Sequence, residues 1–421
     1  MVLRGSTKRA VGVWVALALF AINFSPRVQS LRTLPDILYL GEGQSEILDF
    51  LLPLKAKVEG DAVDVVRGSD QTLADVGATI QSQSPGTSSV TFSFLGIPVK
   101  EVQVQVTSGK RLIPGGQAIG IAMMTNGVYV AGTEAVIAQD GTSVNPARKA
   151  GIFPGDTILS ANGVLLSSFE GLRSAVERCA GEPLALRVGR DAQEKTVSIE
   201  PVMDQSGAYR LGIWARDSTA GVGTLTYVDP EEGRYGALGH AVTDSDTGGM
   251  LSVREGSVFP SAIVGVQPGT QGRPGELRGV FSTDISALCT IDKNTDYGIY
   301  GNVKSSPDDV LYPSGLPVGM QSTVVEGPAQ LLTTIDDGGV RAYDCRIVKV
   351  SRQTAPATRS LVVEVTDPEL LERTGGIVQG MSGSPILQNG HIIGAVTHVY
   401  VNDPTRGYGL FIEWMLKAQE K

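Results

Sequence analysis

Short β-branched runs broken by glycine fill the second half of the chain, and this texture limits the fold more than any other feature. Between residues 201 and 421 the stretches GVGTLTYVDP, YGALGHAV, SAIVGVQPG, CRIVKVS and RSLVVEVTD each end at a glycine, a proline or a polar cluster. Runs this short and this rich in Val, Ile and Thr are strand signals, and glycine supplies the tight turns between them. The expectation is a mainly β chain whose last 220 or so residues, 201–421, form a double β-barrel. The stretch TIDKNTDYGIYGNVKSSPDDVLYPSGLPVGMQS reads as a long loop, either the connection between the halves or a lid.

The chain has 421 residues, which points to two or three domains. Hydrophobic residues make up 42% and charged residues 19%, so a sizeable core is within reach and there is no disordered signature. A net charge of −9 argues against nucleic acid as a partner. The three cysteines, Cys179, Cys289 and Cys345, are too widely spaced for a disulfide framework or a zinc motif and read as three buried thiols, the alternative being a single bridge.

The first 30 residues differ from the rest. Arg4, Lys8 and Arg9 precede the apolar run AVGVWVALALFAINF, which ends at Phe24. A basic start followed by an apolar segment reads as an export signal or membrane anchor, although the run is short of the roughly 20 residues of a spanning helix. No small-x-small cleavage site follows. Residues 1–30 are therefore read as an anchor that is uncleaved or cleaved late, with the rest of the chain outside the cytoplasm.

Residues 31–108 read as a small β-domain. Its clearest element alternates Val102, Val104 and Val106 with Glu101, Gln103 and Gln105, the period of a half-buried strand. Residues 109–200 carry AGIFPGDTILSANG, then an amphipathic segment near 169–179 with Leu172, Ala175, Val176 and Cys179 at helical spacing. This pattern resembles a PDZ domain. The resemblance implies that a glycine-containing loop binds a peptide carboxylate through backbone N–H groups while the peptide adds a strand. Here that loop is PGGQAIGI, with Gly116, Ala118, Ile119 and Gly120 nearest the ligand. The alternative is a PDZ unit that only packs internally.

The segment VQGMSGSPILQNGHIIGAV carries the chemistry. A serine hydroxyl needs a base within reach and donors for the developing oxyanion. Gly380, two residues before Ser382, can take a backbone conformation that turns its N–H and that of Ser382 the same way. Such a pair of donors is the oxyanion hole of trypsin-like proteases. Gly383 leaves room beside the serine, and Asn389-Gly390 predicts a hairpin turn that holds the loop. The alternative is an ordinary glycine turn around a hydrogen-bonded serine.

Three histidines exist. His391 and His398 fall on the hairpin after Ser382 and read as satisfied strand residues. His240, in GALGHAVTDSDTG, lies about 140 residues upstream and is the candidate general base. The orienting carboxylate is left open by the residues alone among Asp244, Asp246, Asp284, Asp344 and Asp367. Asp367 ends a strong strand, and Asp244 is its main rival. Asp244, Asp246, Gly249 and Glu255 match part of a calcium-loop pattern, but position 5 is Gly248. The segment reads as a polar turn, with no metal and no cofactor expected.

The motifs PGGQAIGI, AGIFPGDTILSANG, GVGTLTYVDP, YGALGHAVTDSDTG, GIYG and GGIVQGMSGSPI together resemble the stage IV sporulation protein B peptidases, serine peptidases of endospore formers that carry a PDZ domain. The resemblance implies a triad of His240, Asp367 and Ser382, with the Gly380 and Ser382 amides as oxyanion hole. An aspartate some 15 residues before the nucleophile is not where trypsin-like barrels keep it. The resemblance also implies export across the forespore membrane and release into the intermembrane space. There the enzyme would cleave itself and a membrane-bound regulator of an intramembrane protease, activating a late mother-cell sigma factor. Two other readings compete: a non-catalytic PDZ adaptor that keeps a protease shape, and an envelope chaperone-protease.

Overall fold

The computed structural model describes residues 24–66, 77–84, 86–107, 109–190, 193–321 and 323–420. Most of the expected anchor lies outside these residues. Among the described residues no helix is long and apolar enough to cross a membrane. The chain divides into two units, residues 1–110 with 318–324, and residues 111–317 with 325–421.

The first unit, taken by itself, is built of two β-sheets. Ile37–Gly41 pairs in parallel with Ile97–Thr107, which pairs with Gly86–Phe94, which in turn pairs with Lys55–Glu59. A second sheet joins Ser45–Asp49, Gly77–Ser82 and Val63–Val66. The predicted alternation holds: Val102, Val104 and Val106 are buried, while Glu101 and Gln103 face solvent. They meet Leu38, Leu40, Ile80, Val90 and Phe92 in one core. Each such side chain removed from water contributes about 1.5–3 kcal/mol.

The second unit holds the PDZ elements and the peptidase region. The predicted helix forms over Phe169–Cys179, capped by the Ser168 hydroxyl, and buries Leu172, Ala175 and Val176. It packs with Thr157–Ala161, Leu184–Arg190 and Gln193–Ile199 around Val128, Ile158 and Leu186. Two strands are far longer than the rest. Ala118–Thr133 and Ile213–Asp229 pair antiparallel, and between them they serve both the PDZ sheet and the peptidase half.

That continuity corrects the double-barrel expectation. One closed barrel forms from Gly327–Thr333, Arg341–Val350, Leu361–Val365, Arg406–Phe411, His391–Val399 and Pro385–Gln388. The other half stays open, because its strands run on into the PDZ sheet instead of returning to pair with each other. The segment read as a loop contains a hairpin of its own, Lys293–Thr295 with Gly298–Asn302, which extends this half-barrel. The three cysteines are free; Cys289 and Cys345 are buried, whereas Cys179 is partly exposed.

Candidate active site

Ser382 sits on a loop fixed at both ends. Upstream, helix Pro368–Thr374 stops at Gly375, in the left-handed region with φ 73°. Downstream, Pro385–Gln388 and His391–Val399 form the predicted hairpin, with Asn389 at φ 51° and Gly390 at φ 74°. Both φ values are positive, as a two-residue turn of this twist requires.

The glycines around the serine have separate tasks. Gly380 is at φ 95° and Gly383 at φ 97°. A Cβ on Gly383 would lie 2.2 Å from the Thr224 carbonyl oxygen and 2.5 Å from the Leu238 nitrogen. The close approach lets Thr224 grip the loop. Its hydroxyl donates to the Gly380 carbonyl at 2.8 Å and its amide to the Ser382 carbonyl at 3.0 Å. With both carbonyls held on Thr224, the amides of Gly380 and Ser382 are left without an acceptor among the described residues. Two unclaimed N–H groups flanking a serine are the donors that an oxyanion would need.

The Ser382 hydroxyl donates to the Thr397 carbonyl at 3.1 Å. It shares a cleft of about 490 Å³ with His240, His398, Leu238, Gly380 and Thr397. His240 follows two residues in the left-handed region, Leu238 at φ 71° and Gly239 at φ 70°. The first is strained for a leucine, and strain of this kind persists only where the surroundings enforce it. His240 Nδ1 lies 2.8 Å from the Ala241 carbonyl oxygen. A carbonyl only accepts, so Nδ1 carries the proton and Nε2 keeps the lone pair of a base. Burial lowers the His240 pKa, with the Ala241 carbonyl opposing it.

The carboxylate candidates go elsewhere. Asp367 is the N-cap of helix Pro368–Thr374: its Oδ1 accepts from the Glu369 amide at 2.9 Å and the Leu370 amide at 3.1 Å. Its Oδ2 faces the Asp344 amide at 3.4 Å. The structure does not bring Asp367 to the imidazole, because the turn after Leu361–Val365 directs the side chain onto its own helix. Asp244 is fully buried but turned away as well. Its Oδ1 accepts from Asp246 N, Thr247 N and Thr247 Oγ1 at 3.0–3.1 Å. Its Oδ2 lies 2.9 Å from Arg216 Nη1, an ion pair off the axis of a hydrogen bond. The polar turn after His240 is thus a brace held by Arg216.

Sequence reasoning missed His398. Its ring lies 5.4 Å from that of His240, and its buried Nδ1 has no hydrogen-bond partner among the described residues. Sequence proximity to Ser382 spoke against it, yet an antiparallel hairpin returns to its own start. The register shift between Val396 and His398 then accompanies its place in the cleft wall. The even spacing of the NG turn between Ser382 and His398 was the available signal. His391 lies outside the cleft, with Nδ1 2.9 Å from the Asn389 carbonyl oxygen.

The PDZ loop is also corrected. The Gly116 amide donates to Leu225 O at 2.8 Å. Ala118, Ile119 and Gly120 pair with Thr224, Gly223 and Val222 on one side, and Ile119 and Gly120 with Pro260 and Phe259 on the other. Both edges of the strand are filled, so a peptide cannot add there. An open groove of about 490 Å³ lies instead along helix Phe169–Cys179, lined by Phe169, Leu172, Val176, Val136, Tyr209 and Ile213 among others.

Comparison with known proteins settles the family. Residues 207–416 match the family model described as SpoIVB peptidase S55. This chain belongs to the SpoIVB S55 family of serine peptidases. Residues 94–200 match the PDZ domain model. A putative zinc metalloprotease of Clostridium perfringens is 29% identical over 69 residues, which are 16% of this chain and 21% of that protein. The chain thus spans about a fifth of the length of that curated relative. Among solved structures, the active form of the Rv3671c protease from M. tuberculosis is 16% identical, covering 48% of this chain and 73% of that one at a TM-score of 0.27. Its inactive form is 17% identical, covering 47% and 82% at a TM-score of 0.26.

Proposed function

We propose that this S55 peptidase is an exported signalling endopeptidase of sporulation, with Ser382 as nucleophile and His240 as general base. The observation that carries the reading is the pair of unclaimed amides at Gly380 and Ser382, set beside a serine that shares a cleft with a Nδ1-protonated imidazole. The Ser382 hydroxyl turns from Thr397 O toward the His240 Nε2 lone pair and attacks the peptide carbonyl as its proton moves to that nitrogen. The carbonyl oxygen, now negative, takes hydrogen bonds from the two amides. The C–N bond then breaks as His240 passes the proton to the departing amine. Water repeats the sequence on the acyl-enzyme.

The Ala241 carbonyl fixes the His240 tautomer, the task a triad aspartate usually performs. Asp367 acts at a distance, by capping the helix that leads into the Ser382 loop. Peptide recognition by the PDZ elements is assigned to the groove along helix Phe169–Cys179. Residues 10–24 anchor the chain before its release between the two spore membranes. Its substrates there are itself and a membrane-bound regulator of an intramembrane protease, so that cleavage activates a late sigma factor.

The test follows self-cleavage by mass spectrometry and labelling by a fluorophosphonate probe, in the full chain and in Ser382→Ala. Both signals are expected in the parent and neither in the variant. A parent that neither cleaves nor reacts overturns the reading and favours a PDZ adaptor without catalysis.

A further inference from the structure

The hairpin Gly86–Phe94 to Ile97–Thr107 turns through Leu95 and Gly96, since Phe94 pairs with Ile97. Leu95 is at φ 50° and Gly96 at φ 86°. Both positions of such a turn favour Asn, Asp or Gly, and a leucine there is strained. It gains nothing by burial, being 88% exposed, and Ile97 beside it is 68% exposed. A costly backbone conformation that presents an apolar side chain to water is a mark of function rather than of folding.

The tip continues into a larger apolar face. Ile97 and Val99 are both exposed, and Val99 is the extra residue at the register shift of this hairpin. Val99 and Phe94 line a groove of about 620 Å³ with Val28, Leu31 and Leu52. Arg27, Arg32 and Lys100 stand at its rim, and Lys100 is paired with Asp36. Val28 and Leu31 belong to helix Pro26–Arg32. The apolar run of the sequence, residues 10–24, ends two residues before that helix begins.

We propose that the Leu95–Ile97 tip and the adjoining groove rest in the interface of a lipid bilayer carrying anionic phospholipid, with Arg27 and Arg32 at the headgroups. The occupant follows from the chain itself: the segment read as an anchor is continuous in sequence with Ser25 and Arg27, which line this groove, so a tether there would hold this face close to the membrane surface. Apolar side chains at a tip with basic residues behind them are the pattern of an interfacial contact. The inference rests on the anchor reading of residues 10–24.

The full chain, with Cys179→Ser and Leu95→Cys carrying an environment-sensitive NBD dye, is reconstituted with phosphatidylcholine vesicles containing phosphatidylglycerol. A second protein carries the dye at Asn389→Cys, an exposed turn of the closed barrel. The protein is expected to float with the vesicles. Dye at position 95 should emit to the blue and be quenched several-fold more by headgroup-level nitroxide lipid than dye at position 389. Arg27→Glu with Arg32→Glu should reduce that quenching while flotation persists. Flotation with water-like, unquenched emission at position 95 overturns the inference and leaves the anchor standing. A blue shift that lipid nitroxide does not quench also overturns it, because protein, such as a second copy, then covers the tip. Failure to float removes the anchor reading and this inference with it.

Discussion

The imidazole rings of His240 and His398 lie 5.4 Å apart, centroid to centroid, tilted by 38°. His398 is held neutral near neutral pH: burial, then the neighbouring His240 and Arg359, push its pKa down to about 4. When His240 takes the Ser382 proton, a neutral aromatic ring therefore stands beside the new cation. For Trp, Tyr and Phe a ring beside a cation contributes about 0.5–2 kcal/mol, and the neutral imidazole is taken on that scale. His398→Ala is expected to slow fluorophosphonate labelling by roughly tenfold in the maximal rate, with little change in the half-saturating probe concentration. His398→Phe, which keeps a ring, should recover most of the loss. Equal damage from Ala and Phe would rule out the ring as the cause.

The pH dependence follows from the same pair. Burial lowers the His240 pKa below the ordinary 6.5, so the base stays unprotonated into mildly acidic solution. The acid limb of the labelling rate is expected below pH 6.5. Stability moves with His398. The unfolded chain binds its proton near pH 6.5 and the folded chain only near pH 4. In that window the unfolded state holds more protons, so stability falls as pH drops from 6.5 toward 4. Denaturant melts across this range check the sign, and His398→Phe should flatten the slope.

Asp367 gives a sharp choice between two roles. As an N-cap it should be replaced well by Asn, whereas Ala should cost about 1 kcal/mol of stability. Asp367→Asn is therefore expected to keep labelling and self-cleavage close to the parent. A carboxylate that orients the base behaves otherwise, because its change to Asn costs about four orders of magnitude in rate. Measuring both variants at matched folded fraction separates the two.

Gly383→Ala places a methyl group where the Thr224 carbonyl oxygen is 2.2 Å away, at a φ of 97°. The loop must move, and the Thr224 clamp on the Gly380 and Ser382 carbonyls moves with it. We expect a loss of roughly 2 kcal/mol or more in stability and no detectable labelling. Thermal unfolding and the probe reaction test the two parts separately.

Leu95→Asn exchanges a strained leucine for a residue suited to the turn. It is expected to raise stability by about 0.5–1 kcal/mol in denaturant unfolding. A loss of stability would mean that the leucine packs against the fold.

Some of this protein was legible in one dimension. The alternation of Val102, Val104 and Val106, the helical spacing of Leu172, Ala175 and Val176, and the Asn389-Gly390 turn are local patterns, and local backbone chemistry decides them. The glycine pair around Ser382 was legible for the same reason, since only glycine holds those φ values beside a crowded backbone. Which groups meet across the chain was not legible. The closed strand at Ala118–Gly120, the open half-barrel and the His240–His398 contact all depend on the register of strands distant in sequence, whereas the helix cap at Asp367 is local chemistry that the Asp-Pro pair already carried. A strand pattern states which face is buried; it does not state which strand fills the neighbouring edge, and pairing across the fold decides that.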